Sequence, residues 1–106
     1  MQVAMTREIG PAIAQCELTH VARVAIDVGL ARAQHHAYQD ALGGAGCRVI
    51  TLPEEPAMPD AVFVEDTAIV LDELAIAARP GVQSRRAEVA SVAVALSAWR
   101  RVSYNV

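Results

Sequence analysis

The pattern of apolar and polar positions divides the chain into short strands and two helices. Residues 2–6 form a short apolar run that is soon followed by a glycine and a proline, which favours a first strand over a helix. Asp27 stands at an N-cap position ahead of apolar residues at helical spacing, and Gly43 and Gly44 are typical of a helix C-terminus. The first part of the chain therefore predicts a strand, a long loop over residues 7–26 and a helix.

The second part of the chain predicts four further strands and a second helix. Asp72 and Glu73 have the polar character of a tight hairpin turn, and Ser84 is the predicted N-cap of the second helix. The apolar pattern stops after Trp99, so we expect the last unit to lack a closing strand. One helix for every two or three strands indicates an α/β fold. The predicted strands cover residues 47–52, 61–64, 68–71 and 74–79.

Composition predicts a thin core. The chain has 106 residues, of which 54% are apolar but only 4% are aromatic. That length suits one domain or a piece of one. Alanine and valine supply most of the apolar character, and small side chains bury little area at about 25 cal/mol per Å². The chain therefore buries less area per residue than a leucine-rich domain does.

Charge and cysteine usage exclude several classes of protein. A net charge of -3 provides no basic surface for nucleic acid or an anionic membrane. No apolar run reaches the roughly 18 residues of a membrane span. Cys16 and Cys47 lack CxxC spacing, and the chain start lacks a secretory signal, so both thiols are expected to be reduced. We expect a cytoplasmic protein that binds a cationic or zwitterionic small molecule.

Three carboxylates flank the very apolar segment 61–64. Asp60 precedes it, and Glu65 and Asp66 follow it. One interpretation is structural: the acids are solvated at the ends of a strand, or they cap nearby backbone amides. The other is a binding site for a cation, because a carboxylate accepts the paired N–H donors of a planar guanidinium. The sequence alone leaves both interpretations open.

Basic side chains at the start of the second predicted helix oppose the helix dipole. Arg85 and Arg86 follow directly after Ser84, where backbone N–H groups favour anions. These arginines therefore either reach into solvent or pair with an anionic ligand or acid. A metal site is not predicted, because the adjacent His35 and His36 point about 100° apart on a helix, unlike the i, i+4 pair of a helical zinc site.

Several segments together resemble the dimethylarginine dimethylaminohydrolase family, in order and at matching separations. The similarity covers about residues 3–96, and the segments VFVED and RPGxxSRR carry most of its specificity. The segments are Cys16-Glu17-Leu18-Thr19-His20, Gln34-His35 with Tyr38, Leu52-Pro53 through Pro59-Asp60 to Glu65-Asp66, and Arg79-Pro80-Gly81 to Ser84-Arg85-Arg86.

The resemblance implies a fold and a substrate. Members of the family are α/β propellers (penteins) of five ββαβ units around a polar channel, and this chain would supply about the first two units. The implied reaction is attack of a cysteine thiolate on the guanidinium carbon of a methylated arginine, loss of dimethylamine and hydrolysis to citrulline, without a cofactor. The positions that match substrate-binding residues are Leu18, Asp60, Glu65, Asp66 and Arg85.

The chain also departs from the family. The family's catalytic histidine and nucleophilic cysteine fall in later parts of a chain more than twice as long, so no residue here is predicted to be catalytic. Residues 1–99 are interpreted as the N-terminal part of the hydrolase domain, and residues 100–106 as an atypical tail. Two units of a closed ring would expose strand edges, so a homo-oligomer is possible.

Two alternatives remain open. The chain is also compatible with a fragment of an arginine deiminase or amidinotransferase relative, since these share the propeller and its carboxylates. A third hypothesis is a non-catalytic half-propeller that binds another protein chain.

Overall fold

The computed structural model describes residues 2–15, 25–81 and 83–104. Two compact units are present, Met1–Val62 and Phe63–Val106. The predicted binding residue Leu18 and the predicted thiol Cys16 lie outside the described residues. Cys47, which is described, is a free cysteine.

The first unit is built on two parallel strands joined by a helix. Its strands align from Val3 opposite Arg48 to Arg7 opposite Leu52. Parallel neighbours need a long crossover connection, which the helix provides. These elements confirm the predicted first strand, first helix and following strand. They are β1 (Val3–Arg7), a short 3-10 helix (Pro11–Gln15), α1 (Val28–Gly44) and β2 (Arg48–Leu52).

Local hydrogen bonds define both ends of α1. The Asp27 carboxylate accepts a hydrogen bond from the backbone N–H of Leu30 at 3.0 Å, as the sequence predicted. At the other end, the helix includes Gly43 and Gly44, and Gly46 adopts the positive φ of 97°. The Gly46 N–H donates to the Gly43 carbonyl at 3.0 Å. The glycine that turns the chain away from the helix is therefore Gly46, two residues later than expected.

The second unit has the order strand, strand, helix, strand. Its strands lie side by side in the order β3-β4-β5, with β3 and β4 antiparallel and β4 and β5 parallel. The predicted turn at Asp72 and Glu73 connects β3 to β4, and the Leu71 N–H donates to the Leu74 carbonyl at 2.8 Å. The elements are β3 (Ala68–Val70), β4 (Ala75–Ala77), α2 (Val89–Leu96) and β5 (Val102–Tyr104), with 3-10 helices at Val64–Asp66 and Gln83–Glu88.

A closing strand is present in the second unit, so the expectation that this unit stays open after Trp99 is wrong. β5 pairs with β4 from Ala75 opposite Val102 to Ala77 opposite Tyr104. The strand is only three residues long, which is too short to show an alternating pattern in the sequence. The division of the chain at residue 99 stays a prediction.

Two other expectations for the second part of the chain are wrong. Residues 61–64 form a turn that leads into the 3-10 helix Val64–Asp66 and are not a strand. A run of four apolar residues carries no period that distinguishes strand from turn. Ser84 is not the N-cap of α2, because the chain first forms the 3-10 helix Gln83–Glu88 and Glu88 directly precedes α2.

Small apolar residues form most of the core, as composition predicted. In the first unit Ile9 and Ala61 are buried, together with the polar residues Thr6, Arg7 and Asp60. In the second unit the buried apolar side chains belong to Ala75, Ala77, Val92, Ala93 and Leu96. Within the described ranges, no helix is both long and apolar enough to cross a membrane.

Replacing Asp27 by alanine tests the cap of α1. The Asp27→Ala variant loses the acceptor for the Leu30 N–H and should be destabilised by about 0.5–2 kcal/mol in urea-induced unfolding. Asp40→Ala is the matched control, because Asp40 is exposed near the end of the same helix, where a carboxylate opposes the dipole. An equal loss of stability in both variants would contradict the capping role.

Candidate functional site

The two acids that follow the apolar segment lie on a short 3-10 helix. The Asp66 N–H donates to the Phe63 carbonyl at 3.1 Å, and Thr67 closes the turn by donating its hydroxyl hydrogen to the Val64 carbonyl at 2.6 Å. Thr67 is buried, whereas Glu65 and Asp66 are exposed. Because β3 begins immediately after Thr67, the hairpin fixes the position of both carboxylates.

Arg85 connects this turn to the segment that precedes α2. Its Nη1 donates to Asp66 Oδ2 at 2.7 Å, and its Nη2 lies 3.4 Å from the Phe63 carbonyl oxygen. The guanidinium carbon also lies 5.9 Å from the centroid of the Phe63 ring, within the range of a cation–π contact. Arg85 therefore pairs with an acid of its own chain, which is one of the alternatives that the sequence left open.

Glu88 completes the cluster and was missed by the sequence analysis. Its two carboxylate oxygens accept hydrogen bonds from Arg85 Nε at 3.1 Å and from Arg85 Nη2 at 2.8 Å. The Glu88 side chain is 3% exposed and that of Arg85 13%, whereas that of Asp66 is 52% exposed. Residues i and i+3 eclipse each other in a 3-10 helix, so the 3-10 geometry of this segment aligns Arg85 with Glu88. The i, i+3 spacing of an arginine and a glutamate was the available signal.

Opposing effects act on the pKa of Arg85. Burial favours the neutral form and lowers the pKa, but the hydrogen bonds and charges of Glu88 and Asp66 outweigh burial and raise it above its ordinary value. The guanidinium is therefore a permanent cation. Among the described residues two carboxylates pair with it, so the formal charges of Asp66, Arg85 and Glu88 sum to one negative unit.

The other predicted site residues are placed as follows. Asp60 is buried, at 5% exposure, in the first unit, and Glu65 is exposed beside Asp66 in the second unit. Leu18 lies outside the described residues. The structure thus brings Asp66 and Arg85 together and adds Glu88. Arg86 has a structural contact, because its Nε donates to the Pro80 carbonyl at 3.0 Å.

A second polar cluster lies in the first unit, between β1 and α1. Glu8 accepts hydrogen bonds from Gln39 Nε2 at 3.3 Å and pairs with His36 Nε2 at 3.0 Å, while Gln39 also donates to the Thr6 hydroxyl at 2.8 Å. The hydrogen bond with His36 lowers the pKa of Glu8; burial acts in the opposite direction, and Gln39 and the histidine charges add to the lowering. These contacts attach α1 to β1. Across residues 2–15, 25–81 and 83–104, no group of three or more His, Cys, Asp or Glu side chains could hold a metal ion.

Sequence comparisons connect the chain with one kind of enzyme, although no family model matches it. The chain is 42% identical over 94 residues to the N(G),N(G)-dimethylarginine dimethylaminohydrolase of Streptomyces coelicolor. This alignment covers 89% of the chain and 36% of that relative. The enzyme of the same name from Pseudomonas aeruginosa is 42% identical over 62 residues, which cover 58% of the chain and 24% of the relative. The chain thus spans about a third or less of the length of these relatives.

Structural comparisons agree with the sequence comparisons. A dimethylarginine dimethylaminohydrolase adduct with S-methyl-L-thiocitrulline matches 97% of the chain and 41% of its own length, with a TM-score of 0.91 and 28% identity. The Pseudomonas aeruginosa enzyme complexed with citrulline matches 98% of the chain and 42% of its own length, with a TM-score of 0.89 and 28% identity. The α/β fold of the chain is therefore that of these pentein enzymes. Unliganded AgrE, at 12% identity and a TM-score of 0.82, shares the fold.

The different burial of the two acids around Arg85 predicts different costs of removing their charges. Glu88→Gln replaces a buried carboxylate that holds two donors and should lower the free energy of unfolding by roughly 2–3 kcal/mol. Asp66→Asn affects a half-exposed pair and should cost less than about 1 kcal/mol. Urea-induced unfolding of the 106-residue chain measures both. If Asp66→Asn were the more damaging change, our assignment of Glu88 as the main partner of Arg85 would be wrong.

Proposed function

Because the chain belongs to the dimethylarginine dimethylaminohydrolase family, we propose that it forms the substrate-binding part of a hydrolase that converts methylated arginine to citrulline and dimethylamine. The single observation that carries the proposal is the position of Asp66: an exposed carboxylate on a hydrogen-bonded turn, in a cluster with Arg85 and Glu88 whose formal charges sum to one negative unit. The family supplies the substrate class, and the cluster supplies a group that would recognise its cation.

The proposed architecture is a part of a propeller with five ββαβ units. In each unit of the chain a helix joins two parallel neighbouring strands, and the second unit has the full order strand, strand, helix, strand. We assign the two units to the first two blades of such a ring. The fold similarity to the solved family structures supports this assignment.

Asp66 is the proposed acceptor of the substrate guanidinium. A carboxylate has two oxygens with about four acceptor sites, and Asp66 uses Oδ2 for Arg85. It can therefore accept a second guanidinium while it keeps this contact. A cationic substrate would also neutralise the excess negative charge of the cluster formed by Asp66, Arg85 and Glu88, which a neutral ligand would not do.

The remaining residues have proposed roles that follow from the family. Glu65 shapes the guanidinium end of the site, Asp60 serves the α-amino end, and Arg85 helps to hold the substrate carboxylate. Leu18 belongs to the loop over the substrate. The charges of these groups suit a zwitterionic amino acid with a cationic side chain. The acids would bind its α-amino group and its guanidinium, and the arginine would bind its carboxylate.

The proposed chemistry needs residues that this chain does not provide. A cysteine thiolate attacks the guanidinium carbon, a histidine protonates the departing dimethylamine, and water then hydrolyses the covalent intermediate to citrulline. Cys16 and Cys47 do not match the family's nucleophile, and none of the three histidines matches its acid/base. We therefore propose that the 106 residues bind and orient the substrate and that the reaction depends on the remainder of the family's length. No cofactor takes part, and the cytoplasm is the proposed location.

Asp66→Asn tests the role of the carboxylate in the complete enzyme, obtained by joining this chain to the remaining part of the Streptomyces coelicolor relative. The substitution keeps the shape of the side chain but directs an N–H donor toward the donors of the ligand. It should raise the barrier for methylated arginine, measured as kcat/KM for citrulline release, by roughly 2–5 kcal/mol.

Asp72→Asn is the matched control, because Asp72 is an exposed acid in the turn between β3 and β4 and should change the barrier by less than about 0.5 kcal/mol. The 106-residue chain alone should release no citrulline. Near-normal kcat/KM in a folded Asp66→Asn enzyme would show that Asp66 is a structural acid. Turnover of unmethylated arginine in preference to methylated arginine would favour an arginine deiminase.

A further inference from the structure

We propose that Glu88 is a positioning residue of the substrate site, which holds Arg85 so that Asp66 stays available for the substrate guanidinium. This inference rests on the proposed function, because it concerns the same site. Glu88 is not among the positions that match substrate-binding residues of the family. Three charged groups lie together at this site, and two of them, Arg85 and Glu88, are nearly buried.

Arg85 competes with the substrate for Asp66. Its guanidinium, like that of the substrate, is a planar cation with N–H donors, and its Nη1 already lies 2.7 Å from Asp66 Oδ2. Both cations are therefore candidates for the same carboxylate. If Arg85 were free to turn, it could occupy both oxygens of Asp66 in the bidentate geometry that arginine prefers.

Glu88 holds Arg85 away from bidentate contact with Asp66. It accepts from Nε and Nη2 of Arg85 at 3.1 and 2.8 Å, which is a bidentate pair along one edge of the guanidinium. Asp66 therefore accepts a hydrogen bond from Arg85 Nη1, outside the edge of the guanidinium that Glu88 holds, and it uses one oxygen to do so. The Glu88 side chain is 3% exposed and accepts both of these hydrogen bonds, so it anchors this edge of Arg85.

Glu88 also acts electrostatically, as a counter-ion of Arg85. Arg85 is 13% exposed, and a nearly buried cation needs a counter-ion. When the substrate guanidinium pairs with Asp66, Arg85 keeps Glu88 as its counter-ion. Without the Glu88 charge, Asp66 would be the carboxylate that still pairs with Arg85 among the described residues, and it would bind the substrate less well. Glu88 thus keeps an additional carboxylate available to a cationic ligand.

The test is the kinetics of Glu88→Gln in the complete enzyme, with Glu73→Gln as a matched control in the exposed turn between β3 and β4. We expect Glu88→Gln to raise KM for methylated arginine by about tenfold, equivalent to one charged hydrogen bond. We expect kcat to change by less than about twofold, since the reacting cysteine and histidine are untouched. Glu73→Gln should change neither constant.

Two further measurements distinguish a positioning role from a purely structural one. Methylguanidine and methylurea both lack the carboxylate that Arg85 is proposed to hold, and of the two only methylguanidine is a cation. In Glu88→Gln the inhibition constant of methylguanidine should rise by about tenfold and that of methylurea by less than about threefold. In an Arg85→Lys background, which lacks the planar fork, Glu88→Gln should raise KM by less than about twofold. An equal rise for methylguanidine and methylurea, or the full tenfold rise in KM in the lysine background, overturns the proposal.

Folding does not prevent the test. If Glu88→Gln is unfolded, Glu88→Asp replaces it. This variant keeps the charge on a side chain that is one methylene group shorter, and its KM should lie between the wild-type value and ten times that value. A folded Glu88→Asp enzyme with wild-type KM overturns the positioning role. Wild-type enzyme that turns over no guanidino substrate refutes the proposed function itself, whereas active wild type with an unchanged Glu88→Gln variant refutes the role of Glu88 alone.

Discussion

The bidentate pair between Arg85 and Glu88 is the interaction on which the candidate site depends. It lies within one 3-10 helix, where residues three apart are aligned, and both side chains are nearly buried. A buried cation without this partner would be costly to keep in the folded chain. Because Arg85 also donates to Asp66, the same pair links the segment before α2 to the turn before β3. The position of the exposed carboxylate is thus connected to a buried pair of charges.

The small size of the core makes such polar contacts important. Most of the buried apolar side chains of the second unit are alanine and valine, which remove little area from water. Hydrogen bonds from side chains to backbone carbonyls add to this apolar packing. The Thr67 hydroxyl donates to the Val64 carbonyl, and Arg100 Nε donates to the Leu71 carbonyl at 3.0 Å. In the first unit, hydrogen bonds of Gln39 and His36 attach α1 to β1 in a similar way. Polar side chains therefore have a structural role in both units.

Elements with a long sequence pattern could be predicted, whereas two segments of only three or four residues could not. The helix after Asp27 was predicted because a cap and a period extend over many residues, and the α/β class followed from the alternation of elements. The apolar residues 61–64 were misassigned because a run of four residues has no period, and β5 was missed because it has three residues. The resemblance supplied Asp66 and Arg85, but their pairing joins residues 19 apart and could not be read from spacing. Glu88 was overlooked because acids are usually exposed.

The most direct measurement of the central interaction is the hydrogen exchange of the Arg85 Nε–H group, followed by ¹H–¹⁵N NMR on the 106-residue chain near neutral pH. If Glu88 holds this edge of the guanidinium, the Arg85 signal will exchange much more slowly than that of the exposed Arg101. The protection will be lost in Glu88→Gln and kept in Asp66→Asn. Exchange as fast as that of Arg101 in the unsubstituted chain would contradict the account.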